Sequence, residues 1–168
     1  KERVLKYSKR VSRTVQEESQ KPIEKIMGIR KEKHYLPRDY EGESFTIGNL
    51  SQVDLTKGKW LILSRTISRQ VKIAEELKRK DLFYETNKGK SFAVTMYRAA
   101  MQYESWTRHQ ELEDRVIKDL KEYTGNVEWN RNKDWFDAFV EADEKEKLYI
   151  KNMLDNGENL NTNARIWL

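Results

Sequence analysis

Gly89-Lys90-Ser91 ends like a phosphate-binding loop, in which backbone N–H groups cradle phosphates and a lysine reaches the terminal ones. That loop requires G-x-x-x-x-G-K-[ST], so a glycine would have to stand at position 84, where the chain has Tyr84. Asn87-Lys88-Gly89-Lys90 therefore reads as a turn between a strand and a helix. Histidine chemistry is scarce, because His34 and His109 are the chain's two histidines. A serine–histidine–aspartate set has little to draw on, and a histidine-rich metal site has less. His34 lies beside Tyr35 near a turn and His109 near a helix end, positions that suit surface or capping residues. Cysteine is absent, which excludes disulfides, thiolate catalysis and cysteine-ligated zinc. The carboxylate pairs Glu17/Glu18, Glu75/Glu76 and Asp143/Glu144 are adjacent in sequence. Adjacent residues point to different faces of a helix, so these pairs fit helix starts and solvated faces better than acid–base catalysis.

Two basic positions carry more promise. Lys9-Arg10 and Arg13 stand just ahead of an expected helix. Arg65-Thr66, with Ser68, follows an expected buried strand. In an open parallel sheet, ligands bind beyond the carboxyl ends of the strands. Arg65, Thr66 and Ser68 would then be able to touch phosphate through side chains and through a helix N-terminus. The alternative is that Thr66 or Ser68 simply caps that helix. Both readings stay open. Stacking of bases on tryptophan is a further possibility. Trp60, Trp106, Trp135 and Phe139 nevertheless fall on expected strands and helices, where large aromatics usually build core. Trp129 sits in a polar Val-Glu-Trp-Asn-Arg stretch that fits neither reading well.

These residues need elements to position them. The chain has 168 residues, enough for one domain or one domain with a smaller insertion. Its net charge of +5 conceals a basic front and an acidic back. Residues 1–110 carry net +10 and residues 111–160 net −6. No run approaches the roughly 18 apolar residues of a membrane helix. No apolar signal-peptide core follows the opening Lys-Glu-Arg, so no export signal is expected and a cytoplasmic location is. The missing initiator methionine reads as a processed product or an excised piece. Ser12 to Ile29 predicts a helix capped by Ser12, kinked or split by Pro22 and ended by Gly28. Lys33–Leu36 and Ser44–Ile47 predict short strands. The apolar run within Lys59–Ser64 predicts a buried strand of a parallel sheet. Ile67–Lys80 predicts an amphipathic helix with Val71, Ile73, Ala74 and Leu77 inward, and Leu82–Glu85 a second strand. Strand, helix and strand make a right-handed βαβ unit. Helices are expected over 92–108, 112–123, 135–142 and 143–156, and Arg165–Leu168 reads as one more strand.

Taken in order, these pieces resemble one family. Leu5-Lys-Tyr-Ser-Lys-Arg-Val-Ser12 is similar to motif IV of UvrD/Rep-like superfamily 1 DNA helicases, commonly L-x-x-S-Y-R-V-P. Trp60-Leu-Ile-Leu-Ser-Arg-Thr66, Ala74-Glu-Glu-Leu77 and Leu82-Phe-Tyr-Glu85 resemble the strand-R-T-N, helix and G-x-P-Y-x passage of that family's second RecA-like domain. Gly89-Lys-Ser-Phe92 resembles the start of its inserted helical subdomain, in a compact form seen in phage-type members. Arg165-Ile-Trp-Leu168 looks like the strand before motif V. The chain departs from the pattern at Lys9 (usually tyrosine), Ser12 (usually proline) and Ile67 (often asparagine).

The resemblance implies an α/β fold, a RecA-like parallel-sheet domain of the P-loop NTPase type interrupted by a small helical subdomain. Residues 1–90, with 164–168 as a returning strand, would form the α/β part and 91–163 the helical insertion. The chain would be a fragment of an ATP-dependent helicase or translocase. Without Walker A and B motifs it should not hydrolyse ATP alone; ATP and Mg2+ belong to the intact parent. Arg10 would reach the γ-phosphate of ATP held by a missing first RecA-like domain, as an arginine that stabilises phosphoryl transfer. Arg65, Thr66 and Ser68 would contact single-stranded DNA. No membrane partner is implied. The alternative is a non-enzymatic nucleic-acid-binding or protein-interaction module.

Overall fold

The computed structural model describes residues 11–26, 28, 36–126 and 128–168. Arg10, His34 and most of the strand expected at Lys33–Leu36 lie outside the described residues. The chain forms two compact units, residues 1–53 and 54–168.

In the first unit, α1 spans Arg13–Glu24. Ser12 precedes it with extended backbone, but its hydroxyl makes no capping bond. It is buried instead against the returning chain, where a β-carbon on Gly42 would overlap its oxygen. The segment around Tyr40 holds the helix start. Val11 accepts from the Arg38 N–H at 2.8 Å, and Thr14 Oγ1 donates to the Gly42 carbonyl at 2.7 Å. Arg13 pairs with Glu41 at 2.8 Å. Pro22 does not split the helix. It lies in the last turn, so the bond lost to its missing N–H leaves little helix beyond it. Ser44–Ile47, expected as a strand, forms no strand and pairs with no described segment. A 3-10 turn at Leu50–Gln52 follows, where Asn49 accepts from the Ser51 N–H at 3.0 Å and Gln52 Oε1 from the Gly48 N–H at 2.7 Å.

The second unit is α/β, with a small open mixed sheet. Its strands are β1 (Trp60–Leu61), β2 (Tyr84–Thr86), β3 (Gly89–Lys90) and β4 (Ile166–Trp167), in the order β1-β4-β2-β3. The last strand in sequence lies between β1 and β2 and runs parallel to both. Ile166 is opposite Trp60 on one side and Tyr84 on the other. Between β1 and β2 runs α2 (Ile67–Arg79), which buries Leu77. Val71, expected inward, is half exposed.

Two expectations are corrected here. Gly89-Lys90 is not a turn but β3, antiparallel to β2. The turn is Asn87-Lys88, fastened where Thr86 Oγ1 accepts from the Lys88 N–H at 3.0 Å. Nor is the run 59–64 buried. Trp60 is half-buried, and Leu61 and Leu63 are 70% and 82% exposed. The physical reason is that Leu61 and Leu63 share a face of β1 that no described element covers, at a strand that pairs only with β4 among the described residues.

Four helices join β3 to β4: α3 (Val94–Thr107), α4 (Asp114–Thr124), α5 (Trp135–Ala138) and α6 (Glu144–Asp155). Asp134 and Asp143 cap α5 and α6 through side-chain bonds to the N–H groups of Asp137 and Glu146, at 3.0 and 2.8 Å. α5 ends four residues before its expected limit, and the next turn is taken up where the Glu141 N–H donates to the Tyr123 carbonyl at 2.9 Å. The helices bury one continuous core. Tyr103, Leu120, Phe139, Ile150 and Met153 lie at its centre, and Phe83 and Ala164, beside the sheet, belong to the same cluster. Tyr123 stacks on Phe139 at 5.3 Å, and Tyr103 meets Phe139 edge-on at 5.9 Å. Trp106, Trp129 and Trp135 all pack on or into this cluster, which accounts for them as core. No helix among the described residues is long and apolar enough to cross a membrane.

Candidate nucleic-acid interface

β1 delivers the chain to Ser64 and Arg65 at the carboxyl end of a parallel strand, and α2 starts two residues later. Thr66 has the extended backbone of an N-cap, and its Oγ1 accepts from the Arg69 N–H at 3.4 Å. The same oxygen lies 3.3 Å from Ser68 Oγ, and the Gln70 N–H bonds the Thr66 carbonyl at 3.1 Å. Ser64 Oγ donates to that carbonyl at 3.3 Å. Of the two readings left open by the sequence, capping is therefore realised by Thr66. It does not close the site. Ser68 and Arg65 are exposed, and the Arg65 side chain has no hydrogen-bond or ion-pair partner among the described residues. The first N–H groups of a helix have no intrahelical acceptor and attract anions, as does the positive end of the helix dipole. Residues 57–72 hold five cations, Lys57, Lys59, Arg65, Arg69 and Lys72, and no carboxylate. Lys57 is paired with Asp54 at 3.4 Å. The others are exposed; Arg65, Arg69 and Lys72 follow the carboxyl end of β1 and make that end positive, while Lys59 stands at its other end.

The remaining chemical candidates are engaged in holding the fold. Lys90, in Gly89-Lys90-Ser91, donates to the carbonyls of Leu160 at 2.6 Å and Thr162 at 3.0 Å. Its ammonium also lies 5.4 Å from the Phe83 ring centre and 5.8 Å from that of Phe92. Ser91 belongs to a buried hydrogen-bond chain. Tyr149 O–H donates to the Leu82 carbonyl at 2.8 Å, Ser91 Oγ lies 2.9 Å from that hydroxyl, and the Tyr84 N–H donates to Ser91 Oγ at 3.3 Å. With its only proton committed to Leu82, Tyr149 accepts from Ser91. Burial pushes the Tyr149 hydroxyl well above the usual tyrosine range, against the opposing effect of the Ser91 bond. Burial likewise raises Tyr84 and Tyr103. Glu146 accepts from the Ala93 N–H at 2.7 Å and pairs with Lys78 at 3.1 Å, tying α2, the start of α3 and α6 together. Lys147 is buried, with Nζ donating to the Phe136 carbonyl at 3.0 Å and pairing with Glu144 at 2.9 Å. Arg165 is held between the Thr56 carbonyl and Glu158.

His109 follows α3 with a positive φ of 67° and bonds Arg131 through Nδ1. Asp54 is held below the usual carboxylate range by the Thr56 hydroxyl and N–H. No group of three or more acidic or histidine side chains suited to a metal occurs among the described residues.

Sequence reasoning missed the apolar neighbours of the basic stretch. Leu61, Leu63 and Ile67 are 70%, 82% and 80% exposed, and Trp167, opposite Leu61 in the register, is 43% exposed. The signal available was the alternation of Leu61 and Leu63 on one side of the strand, hidden by the apolar Ile62 between them. Compared with protein-family models, curated proteins and solved structures, the chain matches none.

Proposed function

We propose that the chain is part of a UvrD/Rep-like DNA translocase, contributing the second RecA-like half of its ATP cleft and a section of its single-stranded DNA track. The observation that carries the reading is the sheet order. β4 runs parallel between β1 and β2 after four intervening helices, as a RecA-like sheet interrupted by a helical insertion would require. That arrangement puts Arg65, Thr66 and Ser68 at the carboxyl end of a parallel strand, where such sheets bind ligands. In this reading Arg65 and the N–H groups at the head of α2 hold DNA phosphates, while Thr66 keeps the helix start in place and Ser68 offers a hydroxyl. Arg10 serves the γ-phosphate when a first RecA-like domain supplies ATP and Mg2+. The acidic residues 111–160, which hold α4 to α6, stay clear of the phosphate backbone.

Fluorescence anisotropy with labelled oligothymidine tests this. The full chain should bind at low salt and lose affinity steeply as salt rises, because phosphate contacts release counterions. Arg65→Ala should remove most of the binding. Undiminished binding by Arg65→Ala, or none by the unsubstituted chain at low salt, would refute the reading. A second reading, a protein-interaction module, is favoured by the exposed Leu61, Leu63 and Ile67, which contribute nothing to phosphate binding.

A further inference from the structure

The apolar and basic features around β1 belong to one surface with one geometry. Among the described residues β1 pairs with β4 only. The N–H groups of Trp60 and Ile62 donate to β4, to the carbonyls of Arg165 and Trp167, each at 2.8 Å. Along a parallel ladder the residues alternate between the two neighbours, so Leu61, between the bonded Trp60 and Ile62, directs its N–H and C=O groups to the open edge, and the same alternation carried one step past the strand would aim those of Leu63 there. Among the described residues no strand meets that edge. Proteins usually blunt such an edge with proline, a bulge or a charge placed on it. This one carries leucines, with Trp167 beside Leu61 on the same face.

We propose that the β1 edge is a docking site for an extended, acidic peptide segment that adds a strand to the sheet. Backbone groups of Leu61 and Leu63 would pair with the incoming strand. Its alternate apolar side chains would cover Leu61, Leu63 and Trp167. Its acidic flanks would meet Lys59 and Arg65, which bracket the leucines. Charge complementarity selects this occupant. Lys59 and Arg65 are exposed and have no ion-pair partner among the described residues, so the edge offers two uncompensated cations. A second copy of the chain fits poorly. Antiparallel pairing about Ile62 would set Leu61 against Leu63, but also Lys59 against Arg65 at both ends. A nucleic acid would satisfy the cations but could not pair with a peptide edge or cover the leucines. The inference is independent of the helicase reading, since it rests on the strand edge.

The test is amide-resolved NMR and hydrogen exchange of the full chain with a synthetic peptide of alternating valine and threonine flanked by glutamates. The expected result is saturable binding, with the outward amides of Leu61 and Leu63 gaining protection while the already paired Ile62 amide changes little. A lysine-flanked peptide of the same core should bind roughly tenfold more weakly or worse. Leu63→Pro, which removes an outward donor, should weaken binding by roughly tenfold. Leu63→Ser keeps the donor and is the check if the proline variant misfolds; it should also weaken binding, through lost apolar cover. No binding, equal binding of the lysine-flanked peptide, or protection mapped elsewhere would overturn the proposal. So would a concentration-dependent dimer in which β1 is already protected, or protection of the same amides by oligothymidine and not by peptide.

Discussion

Replacing Ile166 with alanine removes three heavy atoms from a side chain that is 2% exposed on the central strand of the sheet, between Trp60 and Tyr84. Truncations of this kind cost about 2–5 kcal/mol, the lost transfer energy plus the cavity left behind. With parallel strands on both sides of β4, the backbone is held and the site can collapse little, which favours the upper half of that range. With a urea dependence of about 2 kcal/mol/M, the unfolding midpoint should fall by about 1–2.5 M. Tryptophan fluorescence is the suitable probe, because all five tryptophans lie in residues 54–168 and report that unit alone. Leu63→Ser is the matched control: it also removes an aliphatic side chain from the sheet region, but from an 82% exposed position, so its midpoint should move by less than about 0.5 M. Equal, small shifts for both variants would refute the reasoning, since β4 would then not be the buried central strand. A large shift for Leu63→Ser would equally refute the edge position of β1.

Lys90→Met should lower stability by about 1–3 kcal/mol, because it strips the partners from the Leu160 and Thr162 carbonyls, and urea unfolding measures it. The same variant should leave oligothymidine affinity unchanged; a selective loss of ligand binding at intact stability would restore a phosphate role to Lys90. Tyr149 gives an alkaline signature. Its hydroxyl is raised above the ordinary value of about 10, so the unfolded chain ionises first. The stability it contributes is complete below about pH 10 and is lost as pH rises toward its folded value. Tyr149→Phe should therefore be less stable at neutral pH by about 1–2 kcal/mol and should lose stability less steeply above pH 10, as thermal unfolding across pH would show. An unchanged alkaline slope would contradict the burial of that hydroxyl.

The helices were legible in the sequence because a long amphipathic period leaves many agreeing residues. The helix expected over Ile67–Lys80 is found at Ile67–Arg79, and that over 143–156 at Glu144–Asp155. The short strands were harder, for a different reason in each case. A continuous apolar run such as Trp60–Leu63 looks the same whether a strand is central or at an edge, and only pairing distinguishes the two. Gly89-Lys90 makes β3 through a turn at Asn87-Lys88, which lacks the usual hairpin signature of a glycine in the turn itself. At the candidate site, the local part was half legible: the sequence offered Thr66 or Ser68 as a cap, and the structure realises Thr66, bonded from the Arg69 N–H. The engagement of Lys90 with Leu160 and Thr162 was not, because those partners lie 70 and 72 residues away. The exposed leucines beside Arg65 were missed because which face of β1 is covered depends on elements distant in the chain, which an unbroken apolar run does not reveal.

We propose that the basic carboxyl end of β1 and the head of α2 hold single-stranded DNA through Arg65. The most direct measurement of this is the oligothymidine affinity of the full chain and of Arg65→Ala, titrated side by side over a range of salt. Salt-sensitive binding is expected of the unsubstituted chain, and for Arg65→Ala a much lower affinity with a salt slope reduced by about one. Equal affinities and equal slopes for the two proteins would contradict it.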